Sequence, residues 1–160
     1  MSLRLEDIEL IKQIKYKYWR GIDTADIDLL RDLLTEDVKV DYVGGTYRWQ
    51  IEGKEKMLAA IAAAFNPHIA SCHTGHHPEI NVLDGTTAEG TWTLTDVYIN
   101  LADKVRTTGA AFYRDKYVKI GGKWRIAVTT YERLYEEVEK FSTPPNLSAH
   151  YLAKKLQRNG

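Results

Sequence analysis

The second half of the chain limits its fold most: from His73 onward it reads as long strand-forming stretches separated by tight turns at Asp84-Gly85, Ala102-Asp103-Lys104 and Gly121-Gly122. Four such strands in succession predict an antiparallel meander. The stretch from Thr87 to Leu101 is about fourteen residues, far above the usual five or six. A strand that long bends around something, and Gly90 permits the bend.

The first half is different. Ile8, Ile11, Ile14, Tyr18 and Ile22 recur every three or four residues with Lys12, Lys15, Lys17 and Arg20 between them, which predicts an amphipathic helix. Thr24 is the expected cap of a shorter helix carrying Ile27, Leu30 and Leu34. Val38, Val40 and Tyr42 alternate as a strand, and Gly44-Gly45 turns the chain into a second strand, Tyr47 to Ile51. Gly53 opens a third helix, Lys54 to Phe65. Helices followed by a meander predict an α+β fold. Residues 1–140 read as one domain. Residues 141–160 read as a tail, with Pro144-Pro145 before a basic helical stretch from Leu147 to Leu156 that could pack on the sheet, cover its mouth or reach a neighbouring subunit.

Charge narrows the partners. Lys+Arg and Asp+Glu both number 22, so no excess positive charge draws in nucleic acid. The longest apolar run, Met57 to Phe65, is too short to span a membrane. Cys72 is the only cysteine and Met1 to Asp7 lacks a signal-peptide core, so a cytoplasmic protein is expected.

Side chains alternate along a strand, so parity assigns faces. Between Thr87 and Leu101 the even positions are Ala88, Gly90, Trp92, Leu94, Asp96, Tyr98 and Asn100. Asp96 therefore points inward, where a carboxylate needs a partner: a catalytic histidine, a lysine or backbone. The opposite face, with Thr91, Thr93, Thr95, Val97 and Ile99, suits a subunit contact. The histidine candidates lie in His73-Thr74-Gly75-His76-His77. Simple alternation puts His76 on the face of Ile80 and Val82, and His73 on the other, unless a bulge near Gly75 or Pro78 shifts the register. A metal on this histidine run is not expected, because Asp96 is the one obvious inward carboxylate and the cysteine is alone. Tyr18 faces inward from the first helix with a hydroxyl to satisfy. Asp23 reads as a turn or capping residue. Arg133, between Tyr131 and Tyr135, reads as a stacked rim residue able to clamp an anionic or carbonyl group.

Several stretches together resemble the SnoaL-like branch of the nuclear transport factor 2 superfamily, and within it the bacterial bile acid 7α-dehydratases: Lys17-Tyr18-Trp19-Arg20-Gly21-Ile22-Asp23, His73-Thr74-Gly75-His76-His77-Pro78-Glu79-Ile80, Gly90 to Asp96, Gly109 to Tyr117 and Thr130 to Arg133. The similarity runs from about Ile8 to Val138. Gly44 to Gln50, Asn66 to Ala70 and the tail depart from it. It implies a cystatin-like α+β barrel, a cone of curved antiparallel sheet wrapped around N-terminal helices. It also implies a catalytic set on Tyr18, Asp23, His73, Asp96 and Arg133, which moves the histidine role from His76 to His73.

The implied reaction is loss of water from a hydroxylated steroid bearing a 3-oxo-4-ene system, with no metal or organic cofactor. His73 would move the protons and Asp96 would fix its tautomer. Tyr18 would meet a substrate oxygen, tuned by Asp23, and Arg133 would position the substrate at the rim. Trp92 and Tyr98 beside Asp96 fit a small apolar polycyclic substrate. The alternatives are a scytalone-type dehydratase, a polyketide cyclase, a ketosteroid isomerase or a non-catalytic ligand-binding cone. A homo-oligomer, trimer or dimer, is implied as well.

Overall fold

The computed structural model describes the backbone of residues 4–159 and the side chains of residues 4–155. The start of the segment read as lacking a signal peptide, and the side chain of Leu156, lie outside these. The elements are α1 (Leu5–Asp23), α2 (Ile27–Leu33), β1 (Leu34–Val43), β2 (Arg48–Glu52), α3 (Lys54–Ala64), β3 (Ile69–Val82), β4 (Thr87–Asn100), β5 (Val105–Ile120), β6 (Lys123–Lys140) and α4 (Tyr151–Asn159). This is the predicted α+β order. The six strands form one sheet in the order β2-β1-β6-β5-β4-β3, and β3 to β6 are the expected antiparallel meander. One feature was not foreseen: β1 lies parallel to β6. The edges, β2 and β3, stay apart, so the sheet curves without closing.

Local chemistry explains most boundaries. Gly121 and Gly122 both have positive φ, 57° and 77°, as the two central residues of a tight right-twisted hairpin require. Asp26, not Thr24, caps α2 by accepting from Leu29 N at 3.1 Å. Thr24 instead ends α1, its hydroxyl donating to Arg20 O at 2.7 Å. Leu34, expected in α2, is extended and begins β1.

The main core lies between α1 and the inner face of the sheet. Ile11, Ile14, Tyr18, Trp19 and Ile22 of α1 are buried with Leu94, Ala111 and Tyr113. Trp19 stands edge-on to Trp92, with ring centroids 5.3 Å apart. Gly75 makes room for it: a Cβ there would lie 1.8 Å from the Trp19 ring. Gly75→Ala is expected to destabilise the fold by about 1–3 kcal/mol through overpacking, measured by urea unfolding.

Lys15 corrects the reading of α1's polar face. It is fully buried, with its ammonium 2.8 Å from the buried Asp115 carboxylate and 3.6 Å from the Tyr113 ring centroid. Tyr117 donates to the same Asp115 oxygen at 2.7 Å and accepts from Trp92 Nε1 at 3.0 Å. Burial pushes the Lys15 ammonium down to about 8, while Asp115 works against that loss.

Two bulges overturn simple alternation. On β3, His76 pairs with Thr93 but Glu79 pairs with Thr91, so one extra residue lies between them. His77 takes it up at φ 49°, beside Pro78, which has no N–H to give the ladder. Ile69, Ser71, His73 and Gly75 therefore share the inner face with Ile80 and Val82, and His76 turns out to bond Thr95 Oγ1 at 3.0 Å. On β6, Ala110 pairs with Tyr135 and Ala111 with Arg133, leaving Leu134 as the extra residue. Tyr135 thus leaves the face of Tyr131 and Arg133 and is 59% exposed.

The tail helix starts at Tyr151 instead of Leu147. Of the three destinations considered for the tail, it takes the first, packing on the sheet. Leu152 is buried, His150 Nε2 donates to Ile69 O at 2.8 Å, and Lys155 Nζ donates to Thr24 O and Ala25 O at 3.0 and 2.8 Å. It covers the start of β3 and the end of α1.

Candidate active site

A cavity of about 440 Å³ opens on the inner face, a size typical of small-molecule sites. Phe65, Tyr98, Trp49, Tyr113 and Val105 give it apolar walls, and His73, Asp96, Tyr42, Tyr47, Tyr131 and Arg133 place polar atoms in it. Among the described residues no group of three or more His, Cys, Asp or Glu side chains has the arrangement of a metal site.

His73 and Asp96 are direct cross-strand neighbours, as their assignment to one face requires. They do not pair. Asp23 is the partner of His73: its Oδ1 accepts from His73 Nδ1 at 2.7 Å and its Oδ2 from the His73 backbone N–H at 2.8 Å. Ser71 Oγ also donates to Oδ1, at 2.7 Å. Asp23 closes α1, and the register of β3 brings Ser71 and His73 beneath it. Burial alone would raise the Asp23 carboxyl. The hydrogen bond and charge of the His73 ring, with the His73 N–H and Ser71, outweigh it and hold Asp23 below the usual carboxylate range. An ionised Asp23 only accepts, so the shared proton sits on Nδ1, and in the neutral ring the lone pair is on Nε2. In that form the ring can accept a proton at Nε2.

Asp96 belongs to Arg133 instead. Arg133 Nη1 and Nη2 donate to its two oxygens at 2.5 and 2.8 Å, a two-pronged pair with both side chains under a tenth exposed. Burial would lower the Arg133 guanidinium, but the hydrogen bonds and charge of Asp96 raise it on balance, so it stays a cation. Arg133 is thus not a solvent-facing rim residue. It also faces Glu136, whose Oε2 lies 3.6 Å from Nε and whose Oε1 accepts from Thr46 Oγ1 at 2.8 Å. Glu136 reaches this spot only because the β6 bulge turns it inward.

Tyr18 is likewise displaced from its expected role. Its side chain is fully buried, it is not part of the cavity wall, and its hydroxyl bonds that of Tyr42. Tyr42 supplies the cavity surface and bonds Thr129 Oγ1 at 3.1 Å, and Thr129 in turn accepts from Lys15 at 3.4 Å. Of the five expected site residues, the structure brings His73, Asp96 and Arg133 to the cavity, places Asp23 directly behind His73 and puts Tyr18 one phenol away. Tyr42, Tyr47 and Tyr131 are the additions. Alternation along Val38, Val40 and Tyr42 carried the signal for the first, whereas the other two depend on how β2 and β6 curve around the cavity. Trp92, expected beside the substrate, lies in the core.

Solved structures with this architecture include a provisionally named scytalone dehydratase from Novosphingobium aromaticivorans, 15% identical over 88% of this chain and 91% of that one, TM-score 0.74. The hexachlorocyclohexane dehydrochlorinase LinA-type3 from Novosphingobium barchaimii is 16% identical over 88% of this chain and 97% of its own, TM-score 0.74. A Nostoc punctiforme protein of unknown function with a cystatin-like fold is 23% identical over 83% and 95%, TM-score 0.66. At these identities the likeness concerns the fold, the cone expected from the sequence. The model of the SnoaL-like domain matches residues 3–130, most of the chain and a range that includes the expected site residues other than Arg133, and on that match the protein belongs to the SnoaL-like family.

Proposed function

We propose that this protein is a cofactor-independent lyase that eliminates water from a hydroxylated 3-oxo-4-ene steroid, with His73 as the base. The observation that carries this reading is the Asp23–His73 pair in the wall of a largely apolar cavity, which in the neutral ring leaves the lone pair on Nε2. In such a substrate the carbonyl conjugated with the double bond acidifies the γ hydrogen. His73 Nε2 takes that proton, the electron pair moves into the dienolate, and the hydroxyl on the carbon next to the γ carbon leaves as water once it is protonated. The resulting imidazolium is stabilised by ionised Asp23 and can supply the proton the departing hydroxyl needs. Arg133, fixed by Asp96, holds positive charge at the polar end of the cavity. The likeness to a dehydratase and a dehydrochlorinase supports elimination as the reaction type.

The test is incubation of purified protein with 3-oxo-4-ene steroids bearing a 7α- or 7β-hydroxyl. Elimination extends the conjugation, so the ultraviolet maximum is expected to move to longer wavelength for one epimer. No change with either epimer removes the steroid assignment. A chlorocyclohexane in the same panel, read by chloride release, separates dehydration from dehydrochlorination on the same base.

A further inference from the structure

Donor and acceptor arithmetic along the chain from Arg133 leaves one cavity hydroxyl with a free proton. A guanidinium only donates. Arg133 is immobilised by Asp96, and its Nε and Nη2 both approach Tyr47 Oη, at 3.3 and 3.2 Å. Both lone pairs of the Tyr47 oxygen are thereby engaged. The single Tyr47 proton goes to its other neighbour, the hydroxyl of Tyr131. Tyr131 accepts that bond, and its own proton has no further acceptor among the described residues.

The Tyr131 ring cannot easily turn away. It stacks on Tyr42 with centroids 4.3 Å apart and planes 10° apart, and meets the edge of Tyr113 at 5.1 Å. It forms part of the cavity wall. Tyr113 is the other cavity phenol with no hydrogen-bond acceptor among the described residues, but no donor chain from Arg133 reaches it. Tyr98 donates to Ala64 O at 3.2 Å. Tyr18 and Tyr42 share one hydrogen bond, and Tyr42 shares a second with Thr129 Oγ1.

We infer that Tyr131 is a catalytic hydrogen-bond donor to the substrate oxygen on which negative charge builds, polarised by Arg133 through Tyr47. Burial raises the Tyr131 phenol well above its usual value, so it remains protonated wherever the enzyme works. Tyr47 and Arg133 are positioning residues that act through it. A donor fixed in place before the reaction stabilises a developing oxyanion without reorganising. The inference rests on reading the cavity as a site where a dienolate forms, and it names the group that receives that charge.

2-Naphthol and ring-substituted 2-naphthols of graded acidity are suitable probes, because their ionised oxygen on a flat fused ring stands in for a dienolate. The full chain and its Tyr131→Phe and Tyr47→Phe variants would be titrated by naphthol fluorescence, with folding checked by circular dichroism. In the wild type, affinity for the ionised probe should rise with the basicity of its oxygen. In Tyr131→Phe the parent probe should bind at least about tenfold more weakly, the hydrogen bond being to a charged group, and the dependence on basicity should flatten. Tyr47→Phe should keep part of that dependence. Equal affinity and equal dependence in wild type and Tyr131→Phe overturns the assignment, as does failure of wild type to bind. The outcome is independent of the reaction: if no steroid in the panel is turned over while Tyr131→Phe loses discrimination, the donor stands and the elimination reading falls.

Discussion

His73→Ala is expected to lower kcat for the steroid substrate by about 10²- to 10⁴-fold, the usual contribution of a positioned general base. Asp23→Asn should fall in the same range although it alters one atom. An amide can donate to Nδ1 where the carboxylate can only accept, and that bond would place the ring proton on Nε2, where the lone pair is needed. Asp96→Asn should act differently. It loosens Arg133, and through it Tyr47 and Tyr131, but leaves the His73 tautomer unchanged. Its kinetic defect should therefore combine additively with neither Tyr47→Phe nor Tyr131→Phe, while combining additively with Asp23→Asn. Turnover assays on these variants and their pairs measure this. A His73→Ala enzyme within tenfold of wild type would remove His73 as the base.

Asp115→Ala is expected to produce the largest loss of stability, roughly 3–5 kcal/mol, because it strands the Lys15 ammonium in the core beside Tyr18, Trp19 and Tyr113. For a domain of this size that corresponds to a fall in Tm of about 6–20 °C. The cost lies in the unpaired charge more than in the lost contact. Lys15→Met combined with Asp115→Leu should accordingly be much less destabilised than the two single variants together. Chemical unfolding of the four proteins closes the cycle. The pair connects with the cavity through Thr129 and Tyr42, so the double variant also shows whether the Tyr42 wall needs a cation behind it.

Much of the site was legible because β4 runs without a bulge. Its even positions do face inward, and Asp96 is buried where alternation placed it. The same rule failed on β3, where it favoured His76. Ile80 and Val82, used as the inward reference, lie on the far side of the extra residue at His77 from the histidine being assigned. One residue inverts a face, and nothing in a period of two reports it. Pro78 was the available hint, since its lack of an N–H weakens the ladder there. The resemblance to dehydratases reached His73 by a different route. On β6 the extra Leu134 similarly separated Arg133 from Tyr135 and turned Glu136 inward.

Lys15 shows the same limit on a helix. It sits four residues after Ile11 and four before Trp19, at the spacing of the buried stripe, yet its charge assigned it to the polar face. Only a carboxylate delivered from β5 makes its burial tolerable.

By itself, then, the amino-acid sequence determined the element types, the meander, the inward face of β4 and the identity of the titratable groups, because each depends on a period within one element. Which of those groups pair was decided by tertiary structure alone. Asp23 meets His73, Asp96 meets Arg133 and Asp115 meets Lys15 only after helix and strands have packed and bulges have set the register. A charge's partner is a property of where separate elements meet, and no period along one element records that meeting.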